Sequence, residues 1–247
     1  MSLALQRKRI TKVRAAARHP LYRRAIRNGV LPAMEHQPVL VQLPSMAVVI
    51  DVGGNVGQFA TVARHNFPEA LIFSFEPLPA AGEKLRELFA TDLRFESFPL
   101  ALCDTDGTVP FHVTAADDSS SLLPVAARQV TEFPATRGID TLSVVTARLD
   151  DVLGDRTLPD GPMLLKVDTQ GTELAVLRGA PKLLDRATHA IIEVSFVELY
   201  EGQDDAADIT TFLVDLGWRL RAVYDVKYSI LTGEPIQADM LFEKRVG

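Results

Sequence analysis

Four polar clusters interrupt apolar runs in this chain, and each holds residues able to do chemistry. "VVIDVGGNVGQF" (48–59) carries Asp51, Gly53, Gly54, Asn55 and Gly57 directly after a buried-strand pattern. Glycines let a chain turn tightly and bring a ligand close to the backbone. The helix that follows offers free N–H groups, which suit a carboxylate or phosphate. "FSFEP" ends on Glu76-Pro77, where a carboxylate can accept hydrogen bonds from ribose hydroxyls. "LLKVDTQGTELAVLRGA" (164–180) puts Lys166 and Asp168 two apart, on one face of a strand. "AIIEVSF" sets Glu193 inside another apolar run. Ionisable groups in such strands are costly unless paired or used. Each feature also has a plainer reading: an ordinary strand–helix turn, a helix-capping Glu, or a structural ion pair.

The ligand class follows by exclusion. A dinucleotide fingerprint needs Gly-x-Gly-x-x-Gly, but the positions counted from Gly53 hold Gly53, Asn55 and Gln58. That disfavours a nicotinamide oxidoreductase. The Gly-Lys-Ser/Thr phosphate loop is absent too. A ligand with a small anionic head and no pyrophosphate remains, and S-adenosyl-L-methionine fits that description.

The elements that must position these residues follow a strand–helix alternation from Ala47 onward. Apolar runs "AVVIDV", "ALIFSFE", "FESFPLAL", "VPFHV", "MLLKVD" and "HAIIEVSF" read as strands. "GQFATVARHNF", "AAGEKLRELFA", "TELAVLRGAPKLL" and "DITTFLVDLG" read as helices, and "WRLRAVYDV" with "ADMLFEKR" as a closing pair of strands. Such alternation implies βαβ units and a mostly parallel sheet covered on both faces, with ligands beyond the carboxyl ends of the strands. Residues 3–28 read as two short basic helices and 30–46 as a linker. Residues 115–141 read as an inserted loop able to cover a site. The expected division is an arm and linker over 1–46 and a main domain over 47–247.

Charge and cysteine content narrow the setting. The net charge is −6, which argues against a nucleic-acid binder. Residues 1–30 nevertheless carry nine Lys or Arg and no acid. This arm could touch an anionic membrane surface or an acidic substrate, or simply pair with the acidic body. The single cysteine, Cys103, permits no internal disulfide and no cysteine-based zinc site, and fits a reducing cytoplasm. No signal-peptide h-region and no membrane-spanning run is expected. The five histidines lack metal-ligand spacing. Mg²⁺ on Asp168 with Gln170 or Glu193 is a lesser alternative. The oligomeric state is open, a homodimer being one option.

Taken together, the four blocks resemble the FkbM family of S-adenosylmethionine-dependent methyltransferases. "SSSLLP" (119–124), "TARLDDVL" (146–153) and the terminal "ADMLFEKR" match its pattern too, so the resemblance spans roughly 47–245. It implies a Rossmann-like seven-stranded sheet, mostly parallel, whose last strand runs antiparallel. It also implies O-methylation of a hydroxyl, the acceptor being open among a sugar, polyketide, lipid or other natural product. By position, Asp51, Gly53, Gly54, Asn55 and Gly57 would line the cofactor's methionine end, and Glu76-Pro77 its ribose. Ala101, Leu102 and Asp104 would lie near the adenine. Gly54 stands where the family commonly has Ala, a change expected to be harmless. Thr169-Gln170 replace a common Val-Glu, and Gln cannot act as a base. Asp168 is then the first candidate base, with Lys166 orienting it. Glu193 is the second, and His36 or His112 lie in segments able to cover the site. A cofactor-binding protein without catalysis is the non-enzymatic alternative.

Overall fold

The computed structural model describes residues 19–245. The basic helix expected before Pro20 lies outside these residues. Helix α1 (Pro20–Arg27) starts on a proline after His19, whose ring accepts from the Leu21 amide, and a short α2 (Gln37–Leu40) follows. The segment read as a linker is packed: Val30, Ala33, Val39, Leu40 and Met46 are all buried. They join Tyr22 and Ala25 of α1 against the sheet.

Strand β1 (Val48–Val52) leads to α3 (Gln58–Asn66), β2 (Leu71–Phe75), α4 (Pro79–Phe89) and β3 (Phe95–Phe98). A two-residue β4 (Ala101–Leu102) and β5 (Gly107–Thr114) come next, then α5 (Ala127–Glu132) and β6 (Gly138–Ala147). After α6 (Leu149–Leu153) the alternation resumes with β7 (Met163–Val167), α7 (Glu173–Arg178), α8 (Pro181–Arg186) and β8 (His189–Ser195). Helix α9 (Ala206–Asp215), β9 (Trp218–Tyr228) and β10 (Pro235–Lys244) complete the described chain.

Seven strands form the main sheet in the order β3-β2-β1-β7-β8-β10-β9. Strands β1, β2, β3, β7 and β8 pair in parallel, and β10 lies antiparallel between β8 and β9. The order reverses at β1–β7, which is the switch point where open sheets of this kind bind ligands.

Alternation along the strands separates the two faces. Val48, Ile50, Val52, Met163, Leu165 and Val167 pack with α6 to α9. Val49, Ile72, Leu164, Ile191 and Leu241 pack with α1 to α4. On that second face the next positions toward the carboxyl ends are Asp51, Ser74, Lys166, Glu193 and Asp239. The same face is therefore greasy at one end and ionisable at the other.

Three expectations need correction. "FESFPLAL" is not one strand: β3 joins the main sheet, while β4 joins a separate three-stranded sheet, β4-β6-β5. The supposed loop 115–141 contains α5 and the start of β6. Strand β6 has only Val144 and Thr146 buried among ten residues, so it lacks the hydrophobic alternation that marks a strand. "TELAVLRGAPKLL" is two helices, because Pro181 cannot continue α7. The break is capped from outside. Buried Asp150 on α6 accepts from the Lys182 and Leu183 amides at 2.7 and 3.0 Å.

Loss of that external cap is measurable. Asp150→Ala should cost about 1–2 kcal/mol, in line with other capping residues. For a chain of this size that lowers the melting temperature by about 2–8 °C, and calorimetry with no change would remove Asp150 from the account of the α7–α8 break.

Candidate active site

The glycine turn sits at the carboxyl end of β1, and its bareness is set largely by protein atoms. Gly53 has φ +81, and a Cβ there would lie 1.8 Å from the Asp168 carbonyl oxygen. The turn is stitched to its neighbours by Gly53 and Gly54 amides donating to the Phe75 carbonyl. The Asp168 amide donates to the Val52 carbonyl in the same way. Gly54 is not interchangeable with alanine here. A Cβ would stand 2.0 Å from Ser74 Oγ, the hydroxyl that donates to Asp51 Oδ2 at 3.0 Å. Rotating Ser74 away would take that bond from a fully buried carboxylate.

A cavity of about 730 Å³ opens beyond these strand ends. Gly53, Gly54, Asn55, Glu76, Pro77, Ala101 and Leu102 all line it, as expected. So do Lys166, Asp168, Gln170 and Glu193. Three expected residues do not. Asp51 is fully buried beneath the turn and meets Lys166, not the cavity. Gly57 is the N-cap of α3, packed against Leu85, Leu88 and Phe89 of α4. Asp104 lies exposed past the end of β4. His36 reaches the cavity while His112 does not, its strand turning it toward Leu122 and Leu123.

At the β2 end of the cavity, Glu76 accepts the Asn55 amide on Oε2 and the Leu78 amide on Oε1, both at 2.8 Å. Each carboxylate oxygen keeps a further lone pair for a ligand hydroxyl. Burial pushes the Glu76 carboxyl up to about 7 against those two amides. Asn55, at φ +45, presents a buried Oδ1 with no hydrogen-bond partner. An unpaired acceptor beside a helix N-terminus and a two-oxygen carboxylate fits an amino-acid head joined to a ribose.

The opposite end is ionic. Lys166 is 3% exposed; its ammonium lies 3.1 Å from Asp168 Oδ2, 3.8 Å from Asp51 Oδ1 and over the Phe59 ring. Burial alone would depress Lys166, but the two carboxylates outweigh it and hold the amine protonated. Asp168 is the mirror case. Burial pushes it up, and Lys166 with the surrounding hydrogen bonds brings it below the ordinary carboxylate range. Gln170, at φ +60, donates its amide to both Asp168 Oδ1 and Glu193 Oε2 at 2.7 Å. Tyr200 holds the other end, donating to Gln170 Oε1 at 2.8 Å. Among the described residues no three His, Cys, Asp or Glu side chains converge as a metal-ligand set.

With Oδ1 and Oδ2 both occupied and its charge stabilised, Asp168 is a weak base. Glu193 is the opposite: burial, then Asp168 and Asp239, push it well above the ordinary range. Glu173 ties the turn before α7, accepting from the Thr169 and Gly171 amides. Two of the serines of 119–121 serve the fold. Ser120 Oγ accepts the Thr114 amide, and Ser121 Oγ donates to the Gln170 carbonyl.

Sequence reasoning missed Tyr200, Gln129 and Asp239. Gln129 and Asp239 line the cavity and Tyr200 orients two residues that do. Asp239 was visible only as an acid in an apolar run; its alignment with Glu193 depends on the β8–β10 register.

Residues 51–220 match the Methyltransferase FkbM domain. The chain belongs to the FkbM methyltransferase family. Its sheet order is that of the Rossmann-like methyltransferases, and its cofactor is S-adenosylmethionine. Similar proteins include 2-O-methyltransferase NoeI of Sinorhizobium fredii, 32% identical over 63% of this chain and 66% of that protein. Methyltransferase sdnD of Sordaria araneosa is 27% identical over 85% of this chain and 86% of its own length. Hexuronic acid methyltransferase AglP of Haloferax volcanii is 28% identical over 60% of this chain and 55% of its own.

Two outcomes are expected from this geometry. Gly54→Ala should destabilise the protein, and adding Ser74→Ala should recover part of the loss. A double-mutant cycle by chemical denaturation should give a coupling of about 0.5–3 kcal/mol, and strict additivity would refute the contact. The second concerns pH. Burial raises Glu76 and Glu173 to about 7 and Asp239 to about 8. Folding thus favours their protonated forms, so this stabilisation is full below their unfolded values and is lost as pH rises through 7–8. Asp168, held low, runs the other way and matters only on strong acidification. His36, held neutral by burial, opposes this only below its ordinary value of about 6.5, so the melting temperature of the cofactor-free protein should fall between about pH 6.5 and 8; a rise would contradict the assignment.

Proposed function

We propose that the protein is an S-adenosylmethionine-dependent O-methyltransferase acting on a hydroxyl of a small polar acceptor, with a sugar as the favoured class. What carries this reading is one cavity shared by two unlike ends. Gly53, Asn55 and Glu76 form a cofactor cradle, and Lys166, Asp168, Gln170 and Glu193 form a hydrogen-bonded ionic floor beside it.

When bound, S-adenosylmethionine supplies an electrophilic methyl on a sulfonium. Gly53, Gly54 and Asn55 would hold its amino-acid end, Glu76 and Pro77 its ribose, and Ala101 and Leu102 its adenine. In-line displacement needs the acceptor oxygen held about 3 Å from the methyl carbon. Asp168, locked by Lys166 and Gln170, is suited to accept a hydrogen bond from the acceptor and fix it in that line. Glu193, whose carboxyl titrates far above Asp168, is suited to take the hydroxyl proton.

The acceptor walls support a polyhydroxylated compound over a flat hydrocarbon. They include His36, Ser119, Gln129, Lys227, Gln237 and Asp239. Gln129 is 3% exposed, is held by Tyr200 through Nε2, and has a buried Oε1 with no partner. That oxygen suits a second hydroxyl of the acceptor. The names 2-O-methyltransferase and hexuronic acid methyltransferase borne by two relatives agree with such a substrate. The basic N-terminal arm could add contact with an anionic membrane surface; no described helix is long and apolar enough to cross one.

The first test is binding, then turnover. S-adenosylhomocysteine at one hundred times its dissociation constant stabilises a fold by about 2.7 kcal/mol. Here that is a melting shift of roughly 5–11 °C, absent with NAD⁺ and lost in Glu76→Ala. Incubation with S-adenosylmethionine and methyl glycosides of neutral sugars and uronic acids should then yield methyl ethers detectable by mass spectrometry. Binding without transfer to any hydroxyl would favour a cofactor-binding protein over an enzyme.

A further inference from the structure

Asp239 is a buried carboxylate that the fold leaves uncompensated. It sits in β10, a central strand, and is 8% exposed. Its side chain makes no hydrogen bond and no ion pair among the described residues, and it lines the cavity floor. Backbone pairing sets it directly opposite Glu193, with Ala238 against Val194 and Met240 against Ile192. Both acids point to the same face, since their neighbours two positions on, Leu241 and Ile191, pack together beneath them.

Lys166 and Lys227 are near enough to pull Asp239 down, but burial and Asp168 outweigh them, and both lysines are paired elsewhere. From β7, Lys166 is engaged by Asp168 and Asp51. From β9, Lys227 is paired with Asp225 within its own strand, and Tyr224 donates or accepts with His36 Nδ1 at 2.9 Å. His36 is itself pushed down to about 4 by burial and Lys166, so it is neutral. Glu35, Asp168, Asp225 and Glu193 add only negative charge. An unpaired acid in a strand interior is a liability unless it is used.

We infer that Asp239 is a catalytic residue acting with Glu193 as the proton acceptor for the hydroxyl being methylated. This rests on the O-methyltransferase reading above. The two carboxyls stand on directly paired residues of neighbouring strands, and the Asp239 charge helps hold Glu193 above the ordinary carboxylate range. As the acceptor O–H bond breaks, its proton passes to a carboxylate oxygen of the pair. The oxygen's electrons form the O–CH₃ bond, and the methyl–sulfur electrons return to sulfur, turning the sulfonium into a neutral thioether. One proton and one positive charge are thereby accounted for. Burial, then Asp168, places Asp239 at about 8, near the pH at which a base is both available and strong enough.

The test uses the full chain with S-adenosylmethionine and a methyl glycoside that wild type turns over. Asp239→Asn should lower kcat by about 10²-fold or more while S-adenosylhomocysteine binding is unchanged. The variant should fold at least as well, and its melting temperature should lose part of the wild-type decline toward pH 8, because an uncompensated acid has been neutralised. Wild-type kcat should rise with pH toward about 8, and Asp239→Glu should recover part of the rate with a displaced pH limb. A ¹³C-carboxyl titration of the S-adenosylhomocysteine complex should show Asp239 titrating well above ordinary carboxylates. Wild-type kcat in Asp239→Asn, a raised KM with kcat intact, or an ordinary Asp239 titration would each overturn the inference. Wild-type inactivity on every glycoside would instead overturn the acceptor reading on which it rests.

Discussion

Lys166 is the interaction on which the rest of the site depends. A cation enclosed in a parallel sheet survives only with close counter-ions. Asp51 supplies one from β1 and Asp168 another from beyond the end of β7, so a single ammonium ties together the two strands flanking the switch point. The Asp168 carbonyl also sits where a Gly53 side chain would have to go. The ion pair and the glycine turn are thus two sides of one contact. Disturbing Lys166 would release Asp168, and with it the floor of the proposed cofactor cradle.

That arrangement uses up the positive charge and explains what stands around it. Glu193 and Asp239 lie on the same face and receive no cation of their own. Gln170 stands where the family resemblance implies an acid, and here it relieves the crowding. Its amide donates to Asp168 and Glu193 together, while Tyr200 fixes the carbonyl end so that the amide cannot invert without losing a bond. A glutamate there would add a further carboxylate to the cluster and donate nothing unless protonated. The substitution that removes a possible base thereby leaves Glu193 and Asp239 as the acids with an unsatisfied demand for protons.

The cofactor end was legible in the sequence because it is local. Apolar strands announce themselves by composition, and Gly53, Gly54, Asn55 and Glu76 follow their strands directly. The mostly parallel sheet followed from the same alternation, and its closing antiparallel strand from the family resemblance alone. Residues whose roles depend on tertiary register were not legible. Asp239 meets Glu193 only through β8–β10 pairing, and Tyr200 meets Gln170 across thirty positions. Strand β6 was hidden because its side chains are mostly solvent-facing. Asp51 was assigned to the ligand because a sequence does not reveal that Lys166 covers it. Gly54 looked neutral because Ser74, its real constraint, lies on another strand.

This difference in legibility follows how the two ends are built. The cradle is made from backbone and from side chains anchored by backbone amides, and a substitution there meets main-chain atoms. The proposed acceptor end is assembled from elements far apart in the chain, each tied by a few polar contacts. His36 bonds to Tyr224, Gln129 to Tyr200, and Glu132 on α5 to Ser229 and the Ile230 amide of the β9–β10 turn. Such contacts can be exchanged one at a time without breaking the backbone pairing of the sheet. A fold built this way keeps one methyl donor while its acceptor surface is free to change. Acceptor choice should therefore reside in residues 30–36, 115–136 and the β9–β10 hairpin, and not in the strand ends.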